Sequence, residues 1–438
     1  MSNKSEILSS TVYQKFSRGV QLPYDILDIH DIPDGAKEGH FIEIHCGGFG
    51  SEISPHPTEK HQFYALTDRG PNTTYDVNGD KGKIFLKPDY TPKIGLFQLN
   101  SDGTISKLKE ILLKNPDGEP ITGLPNQHFG ATKEIAYDQH GKVLKKGTDE
   151  FGLDSEGLVA LQDGTFWVSD EYGPHIVHFD ASGVEIDRIN AYEHDERRKS
   201  GYLLPLEYAN RRQNRGMEGL TITPDQKKLV GIMQSAMSNP DPSVTKSDLV
   251  RIVMIDLETK AVSQYLYRQE GGDQVYSCTA IVALNQQQFL VAERDDDFYM
   301  DNPQAFKRVY KIDLTDATDL EQIENSDQFE QDEKTGLLTD GLTLEQFVLQ
   351  AGWKGLQDVG IVPVAKTLVV DLIEKLHYPH DKVEGLWVID EHHLAVLNDD
   401  DYAFSETDGV MQQKYLDKGK KVIDANTLYI IGGIDTGK

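Results

Sequence analysis

The 438-residue sequence predicts an all-β fold, and three observations carry that prediction. A motif recurs along the chain, its copies alternate with period 2 around turn residues as a hairpin does, and further strand-like segments follow most of them. The clearest copies are Ser155–Glu171, Met217–Gln234 and Val383–Asp400. Each contains Glu-Gly-Leu, an alternating strand, a turn with Asp, a second apolar strand and a polar residue 14 to 16 positions after the Glu. Gly50–Gly70 and Cys278–Asp295 follow the same rhythm, the latter with Thr279 in place of the Glu. The starts fall at positions 52, 156, 218, 279 and 384, separated by 104, 62, 61 and 105 residues. Period-2 alternation around turn residues reads as a two-stranded hairpin. Candidate outer strands are Gly95–Leu99, Ser106–Leu113, His175–Phe179, Val184–Ile189, Leu249–Ile255, Ala261–Tyr267 and Val309–Ile312. Four strands per repeat is the arithmetic of a β-propeller blade.

The expectation is a single β-propeller domain over residues 1–438, with its core at about 41–431. Five repeats are visible, and the two gaps of about 104 residues leave room for five to seven blades. Ala131–Lys146 reads as an extra hairpin around His140-Gly141. A small acidic and helical insertion is expected over about 316–380, with a short amphipathic helix at Thr367–Leu376. Tyr13–Val20 is expected to add a strand beside Thr427–Ile431 and close the ring.

Forty-four Lys and Arg stand against 72 Asp and Glu, a formal charge of −28. Without clustered basic residues, nucleic acid is not an expected partner. An anionic membrane surface would repel the chain, and no apolar run reaches the length of a membrane span. The first 20 residues lack the apolar stretch of a signal peptide, which fits a cytoplasmic protein or a mature form without its leader. Cys46 and Cys278 are far apart in sequence and form no C-x-x-C pair, which argues against a zinc site.

In a ring of repeats, equivalent residues converge. Glu156, Glu218 and Glu384 should point at one axis, and Glu52 joins them as the weaker copy. Asp68, Asp170, Gln234, Glu293 and Asn398 or Asp399 should form a second ring nearby. So many carboxylates need a counter-charge. Arg69 and Arg294 are too few, and calcium, which takes six to eight oxygen ligands, is the best fit. Asp-rich runs at Asp295–Asp297 and Asn398–Asp401 should edge the same mouth. The same motif has a purely structural reading, in which Gly permits a tight strand entry and Glu accepts backbone N–H bonds between blades. No nucleophilic-serine, P-loop, zinc-protease or dinucleotide-binding motif is present in the sequence.

The stretches Asp154–Pro174, Asn214–Asp225, Phe63–Asn72, Val291–Asp295 and Lys382–Tyr402 resemble the signature segments of the phytase-like family, also described as esterase-like activity of phytase. The resemblance spans about Phe41 to Ile431. It implies a calcium-binding propeller, often exported to the periplasm or beyond. By matching position it implies an acidic rim of Asp68, Glu156, Asp170, Glu171, Glu218, Glu293, Asp295, Glu384 and Asp399, with Arg69 and Arg294. The Asp-Ala-Asp-Asp-Pro-Ala signature of true propeller phytases is absent. The expected function is therefore a calcium-dependent ester hydrolase, a phosphoesterase acting on a small phosphorylated substrate. Catalysis would rest on Glu156, Glu218, Glu384, Arg69 and Arg294. Two alternatives stay open: a calcium-dependent lactonase or carboxyl esterase, and a non-catalytic binding propeller stabilised by calcium.

Overall fold

The computed structural model describes residues 9–29, 31–77, 79–129, 133–271 and 276–438. It is all-β, with few helices. Five four-stranded antiparallel sheets follow one another along the chain, one at each repeat. The first comprises Glu52–Pro55, Gln62–Leu66, Lys93–Leu99 and Ile105–Leu112. The second comprises Ser155–Ala160, Phe166–Asp170, His175–Phe179 and Glu185–Ile189. The third comprises Met217–Ile222, Lys228–Met233, Leu249–Asp256 and Val262–Arg268. The fourth comprises Ser277–Ala283, Gln288–Arg294, Lys307–Asp313 and Ala365–Asp371. The fifth comprises Gly385–Asp390, His393–Leu397, Thr427–Gly432 and the N-terminal Val20–Gln21. The first strand of each sheet packs against that of the next, and the fifth packs against the first, so the neighbours run in a cycle.

The Gly of the repeat explains how these strands pack. A Cβ on Gly219 would lie 2.7 Å from the backbone N of Ile281 in the fourth sheet, and one on Gly157 would lie 2.7 Å from the backbone N of Leu220 in the third. One on Gly385 would meet the Ile53 side chain at 2.6 Å. Glycine is needed because adjacent first strands approach closer than any side chain allows. Where the repeat lacks its Glu, Thr279 Oγ1 donates instead to the Val383 carbonyl across the inter-sheet boundary, at 2.5 Å. Apolar faces fill the spaces between sheets. Val159, Ile176, Leu220, Val230, Ile252, Ile281 and Val291 belong to one buried cluster spanning the second to fourth sheets.

Several elements differ from the sequence expectation. Thr367 to Asp371 is the edge of the fourth sheet, paired with Lys307–Asp313, and only Leu372–Leu376 is helical. The β-branched run Thr367, Val369 and Val370 favours the strand, and the Asp371 side chain caps the short helix by accepting from the Ile373 and Glu374 amides. The inserted segment therefore lies between Asp313 and Ala365. It carries a small three-stranded sheet and a longer helix, Leu344–Asp358, started by a capping box between Thr343 and Gln346. This helix docks through a buried ion pair, with Arg251 Nε 2.9 Å from Glu345 Oε1. The N-terminal Ser10–Phe16 is helical, and the strand that joins Thr427 and Leu428 is Val20–Gln21.

The expected turn around His140-Gly141 is present, with Tyr137 bridged antiparallel to Val143 and the Leu144 amide on the Ala136 carbonyl, but it builds no four-stranded sheet among the described residues. Ile135–Tyr137 adds in parallel to the Asp80–Phe85 strand, which also pairs with Asn72–Val77; Ala131 and Thr132 lie outside the described residues. A second extra hairpin, Phe404–Thr407 with Val410–Gln413, stands nearby. Among the described residues, no helix is long and apolar enough to cross a membrane.

The close approach at the motif glycines has a measurable consequence. Gly219→Ala would push a methyl group onto backbone that cannot rotate away, and should destabilise by about 2–3 kcal/mol in denaturant unfolding. Gly385→Ala, which meets a movable Ile side chain, should cost less. Equal small effects at both positions would show that the first strands are not held at this spacing.

A candidate active site ringed by five sheets

At one end of the cycle of first strands lies a cavity of about 330 Å³. Its wall includes Glu156, Glu218 and Glu384, one from each of three sheets. One carboxylate oxygen from each lies within 4.8 Å of the others, and all three residues are buried. The backbone explains the convergence. The ladder shifts register at Ser155/Leu158 and at Met217/Gly219, so Glu156 and Glu218 occupy bulges. A bulge turns its residue away from the strand's alternation. Glu384 stands just before its strand, with its amide on the Leu397 carbonyl.

Glu52 has no such bulge. It pairs regularly with Leu66, and its Oε1 accepts from the amides of Ile53 at 2.9 Å and Leu386 at 3.1 Å. It does not line the cavity; it ties the first sheet to the fifth, and burial pushes its carboxyl pKa up.

Of the second ring, Asp68, Gln234 and Asp399 line the cavity as the repeat spacing suggested, whereas Asp170, Glu293 and Asn398 do not. In the second and fourth sheets the residue facing the cavity is the next one along, Glu171 after Asp170 and Arg294 after Glu293, and Arg69 lines it beside Asp68. A one-residue slip in a strand reverses the face a side chain takes. Asp170 is accordingly buried, accepting from the amides of Asp154 at 2.9 Å, Tyr172 at 3.1 Å and Gly173 at 3.2 Å. Glu293 points into the sheets, to Tyr267 Oη at 2.6 Å and Lys366 Nζ at 2.9 Å. Asp295 pairs with Lys307 and accepts from the Phe306 amide at 2.7 Å, away from the cavity. Asp68 does reach the cavity, accepting from Tyr402 Oη at 2.6 Å and the Gly70 amide at 2.9 Å.

The arginines at the rim are already engaged. Arg69 lies 3.1 Å from Asp154 and 3.2 Å from Glu134, and its guanidinium faces the Tyr172 ring at 5.3 Å. Arg294 binds Glu384 at 2.8 Å and also pairs with Asp296. Among the lining residues outside the expected rings are Asp154, Lys382 and Arg215. Asp154 joins Glu156 and Glu171 in a second close acidic group. Lys382 spans Asp399 at 2.9 Å and Asp401 at 2.6 Å. The signal was present, since Asp154 and Lys382 stand two residues before a motif Glu and Arg215 stands three before.

Burial and mutual repulsion raise the proton affinity of this wall. Burial, then Glu218, pushes the Glu156 carboxyl well up; burial, then Glu171 and Glu384, does the same to Glu218. Burial and the Asp154 charge bring Glu171 to about 8 and Asp68 to about 7. Asp170 reaches about 7, mainly through burial. Glu218 Oε2 and both carboxylate oxygens of Asp154 are buried without a hydrogen-bond donor among the described residues, although Asp154 has its ion pair with Arg69. Close oxygen atoms short of donors suit a hard cation. Glu156, Glu218 and Glu384 are the residues that could hold one.

These shifts fix a pH dependence. Carboxyls in the unfolded chain release their protons near pH 4, whereas Asp68, Asp170 and Glu171 keep theirs to about 7 or 8 in the fold. Folding therefore takes up protons in this window, and stability falls as pH rises from about 4 to 8. In the presence of a chelator, the melting temperature should drop steadily over that range. A flat or rising profile would contradict the buried acidic wall.

A family model for Phytase-like proteins, described as esterase-like activity of phytase, matches residues 44–402. An uncharacterized secreted protein of Arthroderma benhamiae is 33% identical over 232 residues, covering 44% of this chain and 45% of that protein. The match thus spans under half the length of that relative. Among solved structures, a luciferin-regenerating enzyme aligns at 13% identity over 93% of this chain and 97% of its own, with a TM-score of 0.35. A periplasmic gluconolactonase of Pseudomonas aeruginosa aligns at 9% identity over 73% and 97%, with a TM-score of 0.28. The Dos1 propeller aligns at 12% identity over 92% and 82%, with a TM-score of 0.29. With its model covering most of the chain, the family is shown: this protein belongs to the Phytase-like family, esterase-like activity of phytase.

Proposed function

We propose that this protein is a calcium-dependent ester hydrolase, acting on a small phosphorylated substrate in the cavity ringed by the five sheets. We read those sheets as the blades of one five-bladed propeller domain. The observation that carries the proposal is the meeting of Glu156, Glu218 and Glu384, from three sheets, within 4.8 Å. The family description supports ester hydrolysis as the reaction class.

Glu156, Glu218 and Glu384 would hold the calcium ion, which when bound offsets the negative charge of a phosphoryl group and polarises its oxygen. The remaining work falls to the chain's own groups. Gln234 Nε2 donates to Glu218 Oε1 at 2.9 Å, and Arg294 holds Glu384, so two of the three carboxylates are fixed in orientation. Glu171, with its carboxyl near 8, is poised to exchange a proton with water or with the leaving oxygen near neutral pH. The strand Asn72–Val77 and the adjoining Phe404 and Ser405 add to the cavity wall, and its volume of about 330 Å³ favours a small substrate.

Hydrolysis of a nitrophenyl phosphate should disappear on exhaustive chelation and return with added calcium. Glu218→Gln and Glu384→Gln should each lower kcat by about 10²-fold or more while the fold persists. Phosphatase activity that survives chelation would sink the proposal, and turnover of lactones without phosphate esters would move the reading to a lactonase.

A further inference from the structure

Among the described residues, two of the cations that line the cavity are not paired with carboxylates. Arg69, Arg294 and Lys382 each contact two acids, so their charge is largely spent within the protein. Arg215 is held differently. It closes a tight turn in which its amide bonds to the Arg212 carbonyl at 3.1 Å and Asn214 takes a left-handed φ of 52°. Its Nε donates to Ser235 Oγ at 2.7 Å. Its Nη2 donates to the Tyr276 carbonyl at 2.6 Å and to Ser277 Oγ at 2.9 Å. All three acceptors are neutral; Ser235 follows the second strand of the third sheet, and Tyr276 and Ser277 stand at the start of the fourth sheet. Among the described residues, Arg215 makes no ion pair and its Nη1 has no hydrogen-bond acceptor.

A guanidinium fixed in orientation by neutral groups keeps its full charge for a ligand, and its planar fork matches an oxyanion. Lys83, on the Asp80–Phe85 strand, also lines the cavity, and its Nζ meets only Thr74 Oγ1, at 3.4 Å, among the described residues. The acids opposite explain why such groups are required. A phosphoryl group approaching Glu156, Glu171 and Glu218 meets repulsion that a single divalent ion does not fully offset.

We propose that Arg215 is the residue that grips the phosphoryl oxygens of the substrate, with Lys83 as a second positive contact from the adjoining hairpin. Arg69 and Arg294 then serve to position carboxylates. This rests on the phosphoesterase reading for the identity of the anion, and it assigns that site's recognition of charge to residues outside the repeat pattern.

The test is calorimetric binding of inorganic phosphate to the calcium-loaded protein, beside KM and kcat for nitrophenyl phosphate. Arg215→Gln should weaken phosphate binding, and raise KM, by about tenfold or more, the loss expected for charged hydrogen bonds. Arg215→Lys should recover part of it, and Lys83→Met should lose a smaller factor. Ser277→Ala keeps the charge but frees the fork, and should weaken phosphate binding without altering the melting temperature greatly. Unchanged phosphate binding in Arg215→Gln overturns the proposal, as does a wild-type protein that binds acetate as tightly as phosphate. Arg215-dependent phosphate binding without ester turnover would retain the anion site and discard the hydrolase. Turnover with an unchanged KM in Arg215→Gln would do the reverse.

Discussion

Three carboxylates held within 4.8 Å of one another, in a buried wall, are the constraint around which the rest of this molecule is arranged. At that distance and an effective dielectric of about 20, two ionised groups repel by about 3 kcal/mol. Three cannot all remain charged without compensation. The protein meets this with protons, raised proton affinities running through Glu156, Glu218, Glu171 and Asp68, and with flanking cations such as Arg294 and Lys382. What these leave uncompensated is the Glu218 oxygen without a donor, which is where a cation would act.

The scaffold that imposes the crowding is backbone geometry more than side-chain packing. Glycines at 157, 219 and 385 let adjacent first strands touch, which draws the ring tight. Bulges at Glu156 and Glu218 then turn those side chains into the space the ring encloses. Glu52 lacks the bulge and becomes a tie between sheets, so one residue type in one motif serves two physical ends. Pairing of Val20–Gln21 with the last long strand links the start of the chain to the fifth sheet and helps hold the cycle.

Much of this was legible in the sequence because a repeat constrains equivalent positions. The Glu-Gly-Leu spacing pointed to Glu156, Glu218 and Glu384 as neighbours, and five motifs correspond to five sheets. The second ring was misjudged by one residue in two sheets, because sequence alignment of hairpins does not show which face a strand end presents. Hence Asp170 and Glu293 hold backbone and side chains within the sheets, while Glu171 and Arg294 face the cavity. The helix at Leu344–Asp358 was missed although Leu344, Phe347, Val348, Trp353 and Leu356 form its buried face, and Thr367 to Asp371 looked helical although its β-branched residues had a strand edge to join. Arg215 was visible only as part of a short basic run; its neutral partners come from serines far away in sequence, which no local pattern reveals.

The claim that Glu156, Glu218 and Glu384 share one cation is tested most directly by anomalous diffraction from crystals grown with calcium or a lanthanide in its place. The account predicts a single strong peak between the three carboxylates, with oxygen distances of about 2.3–2.6 Å. A map with no peak there, the three glutamates satisfied by protons and by one another, would contradict it.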